Sequence, residues 1–137
     1  MKLLDDSYCF ACGRENPGGL RLVFETGGRG VRTSFTPQKK HQGYKDIVHG
    51  GIITTLLDEA MAHAAIRKGF EPLTAEITVR FKNPLYTGEQ ADIEGWIEDE
   101  GKIPRRLIGA ASEVKTSGGK LIATATSKLF LTGAADS

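Results

Sequence analysis

A chain of 137 residues, 39% hydrophobic and 26% charged, has the size and composition of one globular domain with one core. Its formal net charge of +1 comes without a basic patch, which argues against nucleic acid as a partner, and no apolar run approaches the roughly 20 residues of a membrane span. Met1 to Asp6 lacks an extended apolar stretch and a cleavage site, so no secretory signal is expected and the cytoplasm is the expected location.

Residues 1–19 read as an irregular leader that carries both cysteines, Cys9 and Cys12, in C-x-x-C spacing. In the cytosol such a pair stays reduced, binds a metal or does redox chemistry. Asn16-Pro17-Gly18-Gly19 marks a turn. Leu20, Leu22 and Phe24 then alternate with Arg21, Val23 and Glu25, which predicts a strand. Gly27, Gly28 and Gly30 turn the chain into a second strand, Val31 to Thr36, completing a hairpin. Pro37 to Val48 is a polar loop with no period.

The clearest segment follows. From Ile52 to Ile66 the apolar residues fall at 52, 53, 56, 57, 60, 61, 64 and 65, which is helical spacing. Thr54, Thr55, Asp58, Glu59 and His63 occupy the other face. Ala60, Ala62, Ala64 and Ala65 are small enough for a sheet to approach closely, and Gly69 is a plausible stop. Strand-like runs come next: Thr74 to Phe81, with Ile77, Val79 and Phe81 on one side; Ala91 to Glu98; Arg105 to Thr116; and Lys120 to Leu131 after a Gly118-Gly119 hairpin turn. Residues 133–137 form a tail. The order ββ-α-ββββ defines an α+β domain over residues 20–132, in which a helix apolar over more than half its circumference needs a curved antiparallel sheet to cover it.

Chemistry concentrates before and within the helix. The segment His41-Gln42-Gly43-Tyr44-Lys45-Asp46-Ile47-Val48-His49-Gly50-Gly51 runs straight into it. Gly50 and Gly51 let a ligand come close to the backbone, and first-turn N–H groups lack intrahelical acceptors and carry the positive end of the helix dipole. A carbonyl oxygen gaining negative charge would be stabilised there, each such donor contributing on the order of 3 kcal/mol in a transition state. A plain loop-to-helix turn would use the same glycines. By periodicity Asp58 reads equally as a solvated acid, and Glu59 points about 100° away around the helix.

His49-Gly50-Gly51 followed by Leu56-Leu57-Asp58-Glu59 resembles the HGG signature of the hotdog-fold thioesterases of the phenylacetate-pathway and 4-hydroxybenzoyl-CoA type. In that family a carboxylate lies nine positions after the signature histidine, which here is Asp58. Val79-Arg80-Phe81-Lys82-Asn83-Pro84-Leu85-Tyr86-Thr87-Gly88-Glu89 resembles the family's strand ending in a Pro-x-x-x-Gly-Glu turn, and Thr74 matches a Ser/Thr that helps hold the attacking water. The resemblance spans about residues 20–131. It implies one long central helix wrapped by a curved antiparallel sheet of about six strands. It also implies a homodimer, further paired into a dimer of dimers, with each site shared between the HGG loop of one chain and the aspartate of the other.

The implied activity is hydrolysis of an acyl-CoA thioester. Asp58 would act on water or attack directly, with the Gly50 and Gly51 backbone polarising the carbonyl. The resemblance makes His49 a support of the loop rather than a proton carrier and leaves Glu59 as a rival or helper. Where some relatives carry an asparagine six residues before the histidine this chain has Gly43, a departure for which Gln42 could substitute; His41 could assist. His63 reads as structural.

Arg80, Lys82, Arg105 and Arg106 are candidates for the CoA phosphates, and Trp96 and Tyr86 for an acyl pocket or a subunit contact. No metal or organic cofactor beyond the CoA of the substrate is expected. Cys9-x-x-Cys12-Gly13-x-x-Asn16-Pro17-x-Gly19-Leu20 resembles a leader found on a subset of the family, read as a structural or pocket cap. A zinc site normally needs four ligands, and His41 is the one further candidate before the helix. The competing readings are a non-catalytic, regulatory acyl-CoA-binding hotdog domain and a hydratase or dehydratase of acyl thioesters.

Overall fold

In the computed structural model, residues 2–100 and 106–132 are described. Expectations at Arg105 and for the tail at 133–137 fall outside them. Six strands and one long helix follow in the order β1 (Glu25–Gly27), β2 (Gly30–Phe35), α1 (Gly50–Arg67), β3 (Pro72–Phe81), β4 (Ala91–Asp99), β5 (Leu107–Thr116) and β6 (Leu121–Leu131), with a short 3-10 turn at Lys39–His41 before α1. The strands form one curved antiparallel sheet in the order β1-β2-β4-β5-β6-β3. This is the hotdog architecture. Among the described residues no helix is long and apolar enough to cross a membrane.

The helix lies on the inner face of the sheet because its apolar positions demand it. Ile53, Leu56, Leu57, Ala60, Met61, Ala64 and Ala65 are buried, Leu56, Leu57, Ala60, Met61 and Ala65 completely. The sheet answers with Ile93, Ile108, Val114, Ile122 and Leu129. Closest approach is at β4. A Cβ on Gly95 would collide with the Ala60 carbonyl and lie 2.8 Å from the Ala60 Cβ, so the small helix residues and this glycine together set the spacing. Opposite Gly95 in the β4–β5 register stands Ser112, whose buried hydroxyl donates to the Leu57 carbonyl at 3.0 Å.

The first strand differs from expectation. Leu20, Leu22 and Phe24 are buried in the predicted alternation. However, the N–H groups of Leu20 and Leu22 donate to the leader carbonyls of Phe10 and Ala11, at 2.9 Å each. Those donors are spent on the leader rather than on a sheet partner, so β1 begins only at Glu25. The leader is thus part of the core, with Ala11 buried among the helix and sheet side chains. The remaining boundaries shift by a few residues. The helix starts two residues before Ile52, so the signature glycines are its first turn. The Gly118-Gly119 hairpin forms as expected, with Gly119 at φ +96°.

Candidate active site

Two features that sequence places apart meet in one bonded unit at the head of α1. The loop before the helix is closed by Gly43 N–H donating to Ile47 O at 2.8 Å and His49 N–H to His41 O at 2.9 Å. The Pro84–Glu89 turn holds it from outside: Val48 N–H donates to Leu85 O at 2.9 Å and Thr87 N–H to Asp46 O at 3.0 Å. Gly88, at φ +86°, allows that turn and donates its N–H to Pro37 O at 2.7 Å. The Pro-x-x-x-Gly-Glu turn therefore buttresses the glycine loop.

His49 is the N-cap of α1, and its Nδ1 accepts from the Gly51 N–H at 2.8 Å. It holds the helix start in shape. This bond occupies one of the two backbone donors expected to face a carbonyl. The Gly50 N–H has no partner among the described residues and stands at the positive end of the helix. A groove of about 310 Å³ opens beside it, lined by Ile47, Gly50, Ile53, Phe81, Lys82 and Pro84 among others.

His41 and Gln42 are committed to the loop. His41 Nδ1 accepts from Gln38 N–H at 2.8 Å, its ring meets Phe35 edge-on with centroids 5.0 Å apart, and burial, aided by Lys40, holds its pKa below the ordinary value. The Gln42 side-chain oxygen accepts from Asp46 N–H at 3.1 Å.

Asp58 lies two turns further along α1 on the half-buried polar face. The Thr74 hydroxyl donates to its Oδ1 at 2.6 Å, a short, charge-assisted bond. Burial pushes the Asp58 carboxyl above its ordinary pKa; the Thr74 bond works the other way, and the neighbouring Glu59 charge pushes it up again. A bulge between Thr74 and Glu76 in the β3–β6 register accompanies the inward position of Thr74.

Glu59 turns to the other side, as 100° per residue requires. Its Oε1 lies 3.2 Å from His63 Nε2 and accepts from Cys9 Sγ at 3.7 Å. Burial would raise the Glu59 carboxyl, but bonds from His63, Cys12 and Cys9 hold it below its ordinary value. His63 stacks on Phe24 with centroids 4.4 Å apart, in keeping with a structural role. The gathering of Cys9, Cys12 and Glu59 was not anticipated, since the sequence separates the cysteines from the helix by a whole hairpin and offers no spacing rule for them.

The cation candidates disperse. Lys82 lines the groove beside Gly50. Arg80 instead lines a second depression with Arg29, Thr78 and Trp96, and Arg106 stands just before β5 with φ +55°. Trp96 lies under the Arg29 guanidinium at 3.5 Å, and Arg29 is itself paired with Glu94 and Glu113 at 2.7 Å each. Because Gly95 faces the helix, Trp96 faces away from it. Tyr86 is 45% exposed, with the Lys120 ammonium 5.4 Å from its ring centre.

A family model described as thioesterase superfamily matches residues 45–103, the stretch from the glycine loop through β4. A putative esterase of Archaeoglobus fulgidus is 31% identical over 73% of this chain and 63% of its own length. An acyl-coenzyme A thioesterase of Xenopus laevis is 27% identical over 71% of this chain and 42% of its own. The chain thus spans less than two thirds of both relatives. A crystal structure of a thioesterase superfamily protein superposes with a TM-score of 0.81 at 26% identity, covering 92% of this chain and 61% of that one. The chain has the hotdog fold, and its residues 45–103 match the thioesterase superfamily.

Proposed function

We propose that this protein hydrolyses the thioester bond of acyl-CoA substrates to the free acid and CoA. The observation that carries the reading is the Thr74–Asp58 pair: a half-buried carboxyl with a raised pKa, held at 2.6 Å by a hydroxyl, nine residues after the histidine that caps a Gly-Gly helix start. Asp58 takes a proton from water as that water attacks the thioester carbon, or attacks that carbon itself. The carbonyl oxygen, now negative, is received by the Gly50 N–H, and by the Gly51 N–H when His49 releases it. The C–S bond then breaks and CoA leaves as the thiolate, which takes up the proton held by Asp58 in the water route; in the direct route a water then hydrolyses the acyl–Asp58 anhydride to release the acid and restore the carboxylate. The groove beside Gly50 receives the acyl group, with Lys82 at its edge for the charged part of CoA. The relative named as an acyl-coenzyme A thioesterase supports the choice of substrate class.

This chemistry needs a second copy of the chain. Gly50 and Asp58 are eight residues apart on one helix, about 12 Å along its axis, too far to act on one carbonyl. Strand β3 is at the edge of the sheet, where an unpaired row of backbone groups invites another strand. A homodimer would set the glycine loop of one chain against Asp58 of the other, and a dimer of dimers would extend it. Light scattering in solution tests the assembly; a monomer that retains turnover refutes the shared site.

The activity is tested by release of free CoA thiol from a panel of aromatic and aliphatic acyl-CoAs. Turnover on one group supports the proposal and identifies the acyl class. Tight binding of CoA esters without turnover would instead favour a non-catalytic, regulatory domain.

A further inference from the structure

The leader and the helix together hold two thiols and a carboxylate that the proposed thioester hydrolysis does not use. Cys9 Sγ, Cys12 Sγ and a Glu59 carboxylate oxygen all lie within 4.8 Å of one another, and all three residues are half-buried. Both cysteines are free thiols. We propose that these three side chains form a zinc site that fastens the N-terminal leader to α1.

The distances suit the ion. Tetrahedral zinc sits about 2.3 Å from thiolate sulfur and about 2.0–2.2 Å from carboxylate oxygen, which sets sulfur–oxygen edges of roughly 3.6 Å. Cys9 Sγ and Glu59 Oε1 are 3.7 Å apart. The local backbone is shaped for thiolate ligation as well. Cys12 N–H points at Cys9 Sγ at 3.5 Å, and Gly13 N–H donates to Cys9 O at 2.8 Å, so the C-x-x-C-G segment curls around the first sulfur. A Cβ on Gly13 would collide with Cys9 N and lie 2.6 Å from Ser7 O; only glycine permits the curl. His63 Nε2, 3.2 Å from Glu59 Oε1, supplies the outer partner that orients a ligating carboxylate, and its stacking on Phe24 fixes the ring. Three protein ligands leave the fourth position to water or another small donor. Two thiolates and a carboxylate favour zinc over calcium or magnesium, which prefer oxygen. Binding releases the thiol protons to solvent and forms two Zn–S bonds; no electrons are transferred.

The test uses the full chain, stripped of metal under reducing conditions and titrated with zinc, and with cobalt as a spectroscopic substitute. Tight uptake of about one zinc per chain, thiolate-to-cobalt charge-transfer absorption, and protection of both cysteines from alkylation are the expected results. The charge-transfer band should be lost in Cys9→Ser and in Cys12→Ser. Zinc should raise the melting temperature, and a chelator should open the chain to trypsin at Arg14. If a variant fails to fold, X-ray absorption on the wild-type zinc complex decides the matter, with two sulfur scatterers expected. Absence of tight binding, a sulfur-free coordination shell, or a Cys9–Cys12 disulfide that excludes metal would each overturn the proposal. None of these readouts depends on thioesterase activity, so this site and the catalytic reading stand or fall separately.

Discussion

Replacing Asp58 with asparagine separates catalysis from folding, because the structure predicts opposite effects on the two. Asparagine keeps the shape and an oxygen that still accepts the Thr74 hydroxyl, whose bond is 2.6 Å in the parent, but it cannot take a proton or attack a carbonyl. Loss of a positioned base costs about 10²–10⁴-fold in rate, equivalent to about 2.7–5.4 kcal/mol of transition-state stabilisation. Stability should move the other way. Burial raises the folded-state pKa of Asp58 above its unfolded value, so the ionised carboxylate is less favourable in the fold than in the unfolded chain. That penalty is fully present above the folded pKa and disappears as pH falls through it toward the unfolded value of 3.8. Asp58→Asn should therefore melt higher than the parent at neutral pH, and the difference should shrink on acidification. The assays are CoA thiol release and thermal melts across pH. A variant that keeps more than about a tenth of the parent's turnover would refute the catalytic role; one that melts lower at neutral pH would refute the burial argument.

Thr74→Val removes the one bond that lowers the Asp58 pKa, so the acidic limb of the kcat/KM profile should move to higher pH, with turnover reduced roughly ten- to a hundredfold. An unmoved limb would disconnect Thr74 from the base. Gly95→Ala forces a methyl group against the Ala60 backbone; overpacking of this kind costs about 1–3 kcal/mol, to be read as a fall in denaturation midpoint at unchanged m. His49→Ala deletes the cap on Gly51 N–H at a cost of about 1 kcal/mol. It leaves that donor free for substrate, so turnover should fall less than in Asp58→Asn; an equal or larger loss would make His49 a participant in the chemistry.

The beginning of the helix shows how loop chemistry and packing cooperate here. Gly50 and Gly51 are not a hinge before α1 but its first turn, capped by a histidine ring rather than by the usual short oxygen-bearing side chain. The turn at Pro84–Glu89 keeps that arrangement in place through the bonds of Leu85 and Tyr86 neighbours to the loop. A change at Gly88, remote in sequence, would act on the glycine loop through this contact.

Much of the fold could be read from periodicity. The spacing of apolar residues from Ile52 to Ile66 determines one buried helix face, and alternation determines the inner faces of β3 to β6, because those patterns report directly which side of an element must leave water. The identity and spacing of His49, Gly50, Gly51 and Asp58 were likewise visible, since a motif is a local property. Strand order was not visible, nor was the displacement of β1 to Glu25 by leader bonds at Leu20 and Leu22: which donor pairs with which acceptor is settled by competition between segments that only meet in space. The same reason explains the divergence of two adjacent acids. Asp58 and Glu59 are alike in sequence, yet α1 turns one toward Thr74 on β3 and the other toward Cys9 in the leader; burial raises the pKa of Asp58 against the opposing Thr74 bond, whereas bonds from His63, Cys12 and Cys9 outweigh burial and lower that of Glu59.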